Sequence, residues 1–494
     1  MIIKNFIDII LFFIVTLFTL ILVKIAFFNL ENFQFASDIF RHYSTIRNIF
    51  DGIGPYEGPQ QEYTFGVHTY FIFYLISPFL FFFKDPKILI LLNILSVFLS
   101  VLLIYLISKK LLYQIHNYKF LSFVIAISYM VFPTLFKGYF YQPYGFQADT
   151  LATPLFLLFF YAFILKKFYF FLFFSFLILS VKEEFVLIYP ALVILTFFIS
   201  YYFNLNGFNL TKKRIFLISL TYLSFTTVIL ITLFHFSKLN NNFSYIPPFW
   251  ENNTLSYEYL LLILIKFIKI IFPLVPLFII LLLYSKFDKK IIVGVFLILV
   301  ACLLRILENI IIYATPNGSP WGNLILAPIF FVVLIVIIRR FFEKNLTNKY
   351  PFYFGITLII FISLLNNYVA VPSLKTSLKF YYSQEENLEL QKEVEVINKK
   401  IIKTANDDYI ILPEYLNYPF VKKMSYVEFN HIDKQLVNVK DKNKIVQNAK
   451  YILTFKQNQN DFIKYSILPS SELIKLIKKH KTLIFETENL LLYK

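Results

Sequence analysis

A single cysteine, Cys302, stands in this 494-residue chain. That excludes an intramolecular disulfide and any zinc or iron–sulfur centre built from thiolates. Charge is scarce as well, at 16% of residues, against about 25% in an ordinary globular protein. The chain has no internal repeat and no small-residue cleavage site after its first apolar run. Over residues 372–494 it has neither a glycine-rich phosphate loop nor clustered metal ligands. Apolar residues fill it instead. They make up 58% of the sequence, aromatic residues alone 20%, with 63 Phe, and the mean hydropathy is +0.66. A soluble domain of this size could not hide that much apolar surface, and a disordered chain would not carry it. The composition predicts a polytopic membrane protein.

Basic residues outnumber acidic ones, 47 to 30, for a formal charge of +17. In a soluble protein that balance points to nucleic acid. Here it records topology, since basic residues accumulate in cytoplasmic loops, and no nucleic-acid partner is expected. Charge density also divides the chain. Residues 372–494 hold 35 of the 77 charged residues, so 1–371 reads as the membrane part and 372–494 as a water-facing domain. Apolar runs of spanning length lie near 6–28, 88–108, 120–136, 150–165, 168–181, 185–203, 214–236, 257–285, 291–312, 322–338 and 352–371. Another run, 68–83, is short and carries Pro78.

Basic clusters at Lys109/Lys110/Lys119, Lys166/Lys167, Lys212/Lys213/Arg214, Lys286/Lys289/Lys290 and Arg339/Arg340/Lys344/Lys349 mark every second loop as inside. With Lys4 also inside, segment 29–68 lies outside, and the parity closes only if 68–83 is re-entrant or interfacial. The expected fold class is mostly α: a transmembrane helical bundle of about eleven spans, N-terminus in, with a small extracytoplasmic α/β domain. In that domain Leu390, Val394, Ile397 and Ile401 share a helix face. Segments 409–413 and 449–455 read as buried strands. Ser470 and its neighbours cap a basic helix through His480, and 482–493 adds further strand.

Several residues stand out chemically. The outer loop 31–67 carries Asp38, Arg41 and His42 at the head of an amphipathic run to Phe50. A carboxylate there either caps that helix or serves as a base at headgroup level. His68 ends the loop; no second histidine is spaced to form a metal pair with it, and His42 joins it only through folding. The outer loop 137–149 offers aromatic and amide groups suited to sugars, with Gln147, and Asp149 at the mouth of a span. Lys182, Glu183 and Glu184 sit between two apolar runs with almost no loop. Ionisable groups at that depth are costly unless paired or lining a polar cavity. Arg305 and Glu308 share a helix face and suit either a phosphate or a buried ion pair. Lys266 and Lys269 suit headgroups, by snorkelling.

The order of these features resembles a family of uncharacterised integral membrane proteins related to the GT-C glycosyltransferases, whose relatives include protein mannosyltransferases, aminoarabinose transferases and oligosaccharyltransferases. The resemblance covers almost the whole chain. It rests on the acidic first outer loop, Gly66-Val-His68, Phe146-Gln-Ala-Asp149, Lys182-Glu-Glu184, a Tyr313-containing outer loop before a late span, and the strands near 411 and 449.

The resemblance implies a GT-C-type bundle that transfers a sugar from a polyprenyl-phosphate donor to an acceptor on the outer face. It implies Asp38 as the catalytic base; Arg41, His68, Gln147, Asp149, Lys182, Glu183, Arg305 and Tyr313 are the expected substrate contacts, Lys182 and Arg305 by their charge and expected depth. Lys182 and Arg305 are the candidates for the leaving phosphate. No cofactor is required and no divalent metal is predicted. The expected partners are the sugar-carrying lipid, an acceptor of unspecified class and membrane lipids. The expected place is a prokaryotic plasma membrane. Two other readings stay open: a transporter or flippase of lipid-linked or small polar substrates, and a scaffold that kept the fold without its chemistry.

Overall fold

The structure, a computed structural model, describes residues 2–32, 38–57, 62–132, 145–205, 207–240, 261, 288–300, 326–344, 385–401, 408–413, 416–420, 425–429, 432, 439–456 and 469–494. The helices of the apolar part are α1 (Ile2–Glu31), α2 (Asp38–Phe50), α3 (Ile72–Ile76), α4 (Lys87–Leu112) and α5 (Tyr118–Met130). They continue as α6 (Asp149–Ile164), α7 (Phe168–Val181), α8 (Phe185–Tyr202), α9 (Lys212–Leu239) and α10 (Leu326–Lys344).

Among the described residues, four helices have the length and composition to cross a bilayer: Phe6–Glu31 of α1, α4, α8 and α9. The expected spans near 120–136, 150–165 and 168–181 form helices of 13, 16 and 14 residues. Those are shorter than the roughly 20 residues that a full crossing needs. Apart from residue 261, the runs 257–285 and 352–371 lie outside the described residues.

Burial shows which surfaces meet lipid. α1 buries Leu11, Val15 and Leu22 but leaves Phe6, Ile9, Phe12, Phe13 and Leu20 exposed. α9 buries only Ile218 and Ile229. Apolar faces of that extent are untenable against water and ordinary against hydrocarbon. α10 is the opposite case, buried continuously from Ala327 to Ile338. α4 packs against α1, α5, α6 and α10, and its Ser96 and Ser100, four apart and buried, are small side chains that let neighbouring backbones approach. At one end of this bundle Asp8 accepts from Tyr105 Oη at 2.5 Å, Lys109 Nζ at 2.7 Å and Lys119 Nζ at 3.1 Å, tying α1 to α4 and α5.

The stretch before α4 is where the chain turns back. α2 buries Ile39, Phe40, Tyr43, Ile46 and Ile49, the spacing of one apolar helix face. It ends at Gly52, whose φ of +78° is the left-handed conformation that closes many helices. Two short strands, β1 (Tyr56–Glu57) and β2 (Glu62–Tyr63), pair antiparallel, and a 3-10 turn (Thr64–Gly66) follows. α3 and a second 3-10 turn (Ser77–Phe81) then make an apolar segment of only ten residues. The segment 68–83 is therefore not a helix of spanning length.

Toward the C-terminus lie α11 (Glu385–Lys400), α12 (Asn417–Phe420), α13 (Val439–Asn448) and α14 (Ser471–His480). Five strands, β3 (Tyr409–Leu412), β4 (Ser425–Glu428), β5 (Tyr451–Phe455), β6 (Leu483–Glu486) and β7 (Leu490–Tyr493), form a mixed sheet in the order β4-β3-β5-β7-β6. The pairs β4/β3 and β3/β5 are parallel; β5/β7 and β7/β6 are antiparallel. Leu390, Val394, Ile397 and Ile401 are all buried. Gln391 Nε2 donates to Glu31 O at 3.2 Å and Asn32 Oδ1 at 2.6 Å, fastening α11 to the end of α1.

Candidate functional site

Asp38, Asp149 and the pair Glu183/Glu184 each sit at the N-terminal end of a helix: α2, α6 and α8. Those ends favour negative charge, because their first N–H groups have no partner within the helix. The turn between α7 and α8 is abrupt because Lys182 takes an extended backbone, with φ −165° and ψ 154°. Helix resumes at once, with Phe185 N–H bonded to Lys182 O at 3.0 Å. Three charged side chains are thereby held in place with no free loop.

These ends come together with the chain between α2 and α3. Asp38 Oδ2 accepts from Gln147 Nε2 at 2.9 Å, and Asp38 Oδ1 lies 3.5 Å from Arg41 Nη1. Arg41 grips Glu57 with two nitrogens, Nε to Oε1 and Nη2 to Oε2 at 3.5 Å. The buried Glu57 also meets Thr64 Oγ1 at 3.5 Å, and Thr64 is linked to Thr45 at 2.8 Å. His68 Nδ1 is 2.7 Å from Glu183 Oε1, whose other oxygen accepts from Thr69 N–H at 2.8 Å. Lys182 Nζ is 2.6 Å from Glu184 Oε1 and 4.0 Å from Asp149 Oδ2.

Exposure sorts the cluster into a rim and a floor. The side chains of Asp38, Arg41, His68 and Glu183 are 20–28% exposed, so a ligand can reach them. Those of Glu57, Asp149, Lys182 and Glu184 are 8% exposed or less. Burial of that order is tolerable for an ion only when it is paired, and here each acid has a cation and each cation an acid. Lys182 is thus engaged by two carboxylates below the rim.

Two groups have displaced ionisation. Burial foremost, and then the charges of Arg41, His68 and Lys182, lower the pKa of His42 to about 3, so its imidazole is neutral. Burial alone would raise Glu183, but the attraction and hydrogen bond of His68 and the charge of Lys182 prevail and bring it to about 2.

Gly66 explains why this loop sits where it does. A Cβ there would come within 2.8 Å of the Phe236 backbone carbonyl on α9. Beside it, Asn240 exchanges two hydrogen bonds with the Tyr63 backbone, at 2.8 and 2.9 Å. The turn is therefore seated on the C-terminal end of α9, and His68 follows two residues later.

Of the residues singled out from sequence, Asp38, Arg41, His68, Gln147, Asp149, Lys182 and Glu183 fall in this cluster. Arg305 and Tyr313, like Glu308, Lys266 and Lys269, lie outside the described residues. Sequence reasoning missed Glu57, whose only signal is that it follows the Gly52–Gly54 turn closely enough to fold back on Arg41. It also gave His42 no part beyond joining His68 by folding. Among the described residues, no three His, Cys, Asp or Glu side chains converge where a metal ion could be held.

The family described as predicted membrane protein (DUF2079) matches residues 38–475. Among solved structures, ArnT from Cupriavidus metallidurans bound to undecaprenyl phosphate aligns over 97% of this chain and 97% of its own. Its identity is 12% and its TM-score 0.53, a likeness of fold. The Archaeoglobus fulgidus oligosaccharyltransferase in the apo form aligns over 88% of this chain and 69% of its own, at 12% identity and a TM-score of 0.40. Both are GT-C glycosyltransferases. No curated protein matches the sequence.

Proposed function

Because the chain belongs to the DUF2079 family of multi-pass membrane proteins and shares its fold with a GT-C glycosyltransferase, we propose that it is a membrane glycosyltransferase. Its donor is a sugar on a polyprenyl phosphate, the class of lipid found on ArnT, and its acceptor presents a hydroxyl. The observation that carries this reading is the Asp38 carboxylate, on the reachable rim and held from two sides by Gln147 and Arg41. A base so fixed needs little reorganisation when it takes a proton.

In the proposed step, the acceptor oxygen attacks the anomeric carbon as its proton passes to Asp38. The bond from that carbon to the phosphate oxygen breaks, and the lipid phosphate leaves with the electron pair. Positive potential favours that departure. On the rim Arg41 can donate to the phosphate, Lys182 lies below it already engaged by Asp149 and Glu184, and Arg305 is the further candidate from sequence. His68, held by Glu183, is suited to hydrogen-bond the sugar or the phosphate. The same reading puts the N-terminus in the cytoplasm and residues 372–494 outside a prokaryotic plasma membrane.

Lipid analysis of the producing cells tests the reading. Overproduction of the wild type is expected to deplete one polyprenyl-phosphate sugar, and overproduction of Asp38→Asn to leave it at or above the control level. Equal pools of every such lipid in all three strains would count against a transferase.

A further inference from the structure

The basic helix α14, which the proposed reaction does not use, shares a charged face with α13. Residues 372–494 carry 20 Lys, no Arg and 15 acidic residues. Segments 439–448 and 471–481 account for seven of those Lys and only two of the acids, which leaves 13 of each sign elsewhere. The whole positive excess of the domain therefore sits on two helices instead of being spread over its surface. Lys444, Lys475, Lys478 and Lys479 are exposed and Lys442 is half-buried. Among the described residues, none of the five pairs with an acid. The dipole of α14 favours Lys478 and Lys479 in its last turn, but it accounts for neither Lys475 nor Lys444. Lys481 ties the two helices together, donating to Gln447 O at 2.9 Å and to Ala449 O.

Strand alternation fixes where this face points. Ile410, Leu412 and Leu453 pack in one buried cluster with Leu390 and Val394 of α11 and with the bundle. Their neighbours Ile411 and Ile452 pack instead with Val446 of α13 and with Leu473 and Ile477 of α14. Since α11 is fastened to α1, α13 and α14 lie on the side of the sheet away from the bundle. Their composition selects an occupant. Protein interfaces centre on apolar and aromatic side chains and are poor in Lys, whereas no described residue of these two helices is an exposed large apolar one. A membrane-surface helix needs an open apolar stripe, and that of α14 is already packed on the sheet. Lysine offers a compact point charge on a flexible stem, suited to a partner whose negative groups recur and need no single geometry. We propose that the α13–α14 face binds a flexible anionic polymer outside the membrane, with phosphate or carboxylate groups repeated along it. The outside placement rests on the proposed topology, and under the transferase reading this polymer carries the acceptor hydroxyl; the binding itself needs no transfer.

Fluorescence anisotropy of labelled polyphosphate and labelled polygalacturonate, titrated with the full chain in phosphatidylcholine nanodiscs, tests it. The wild type is expected to bind at least one of the two polymers. With five charge contacts, its binding is expected to weaken roughly a hundredfold between about 50 and 200 mM salt. Replacing Lys444, Lys475, Lys478 and Lys479 together by Gln alters only exposed positions and leaves one contact. That variant is expected to bind at least about tenfold more weakly at low salt, with its salt dependence reduced to roughly threefold. Replacing Lys166, Lys167, Lys212 and Lys213 by Gln removes the same charge from the loops expected inside, and is expected to change binding by less than about twofold. Equal losses in the two variants would reduce the effect to net charge and overturn the proposal. So would failure to bind either polymer, or binding of phosphatidylglycerol vesicles in their place through the same four lysines. None of these readouts involves sugar transfer, so this proposal and the transferase reading fail separately.

Discussion

Glu183 makes the site sensitive to acid in a direction that follows from its pairing. Its pKa is lowered from 4.5 to about 2 by His68 and Lys182, against the opposing effect of burial. A carboxyl lowered on folding stabilises the protein fully above its unfolded value and loses that contribution as pH falls toward the folded one. Thermal unfolding in detergent between pH 6 and pH 3 is therefore expected to show a falling midpoint in the wild type and a shallower fall in Glu183→Gln. Identical slopes would remove Glu183 as a source. Lys182 gives the sharper case. Lys182→Met leaves Asp149 and Glu184 buried without their cation, and the expected loss is about 3–5 kcal/mol, read as a lowered unfolding midpoint. Most of these residues were legible because charged groups between long apolar runs are conspicuous. Glu57 was not, since nothing in its local sequence says that a turn will bring it to Arg41. The Asp38–Gln147 bond was equally hidden, because the two residues stand more than a hundred positions apart and only the folded loop unites them.

At the level of elements, the seat of the first loop on α9 depends on one glycine. Gly66→Ala places a methyl 2.8 Å from the Phe236 carbonyl, backbone that cannot swing aside as a side chain would. The expected cost is about 1–3 kcal/mol, again read from the unfolding midpoint, and His68→Ala, which leaves that contact intact, is expected to cost less. The β6–β7 hairpin hangs on Glu393 of α11, which accepts from Thr487 Oγ1, from Asn489 N–H at 3.0 Å and from Asn489 Nδ2 at 2.6 Å. Glu393→Ala is expected to speed amide exchange at residues 487–490 while β3 and β5 stay protected; unchanged exchange would show that the turn holds itself. α2 was readable from its apolar spacing and α14 from Ser470, whose side chain accepts from Leu473 N–H. β4 was not read, for Ser425–Glu428 is four residues of mixed character, and 482–493 concealed a turn that splits it into two strands. A short strand is specified by the sheet that receives it more than by its own residues.

The whole molecule is a membrane bundle whose lipid-facing apolar helices follow from composition alone, and the resemblance read from the order of short motifs agrees with its place in the DUF2079 family and its likeness of fold to ArnT. The crossing count was less accessible. Helices of 13–16 residues such as α5, α6 and α7 look like spans in a hydropathy reading but are shorter than the hydrocarbon layer. The central claim is that a polyprenyl-phosphate sugar is the donor and that Asp38 acts on the acceptor rather than on the lipid. The most direct test is mass spectrometry of lipids that co-purify with the protein in mild detergent, comparing wild type, Asp38→Asn and Arg305→Ala. One polyprenyl-phosphate sugar is expected on the wild type, at equal or greater occupancy on Asp38→Asn, and depleted on Arg305→Ala. Bulk phospholipid alone on all three would contradict the claim.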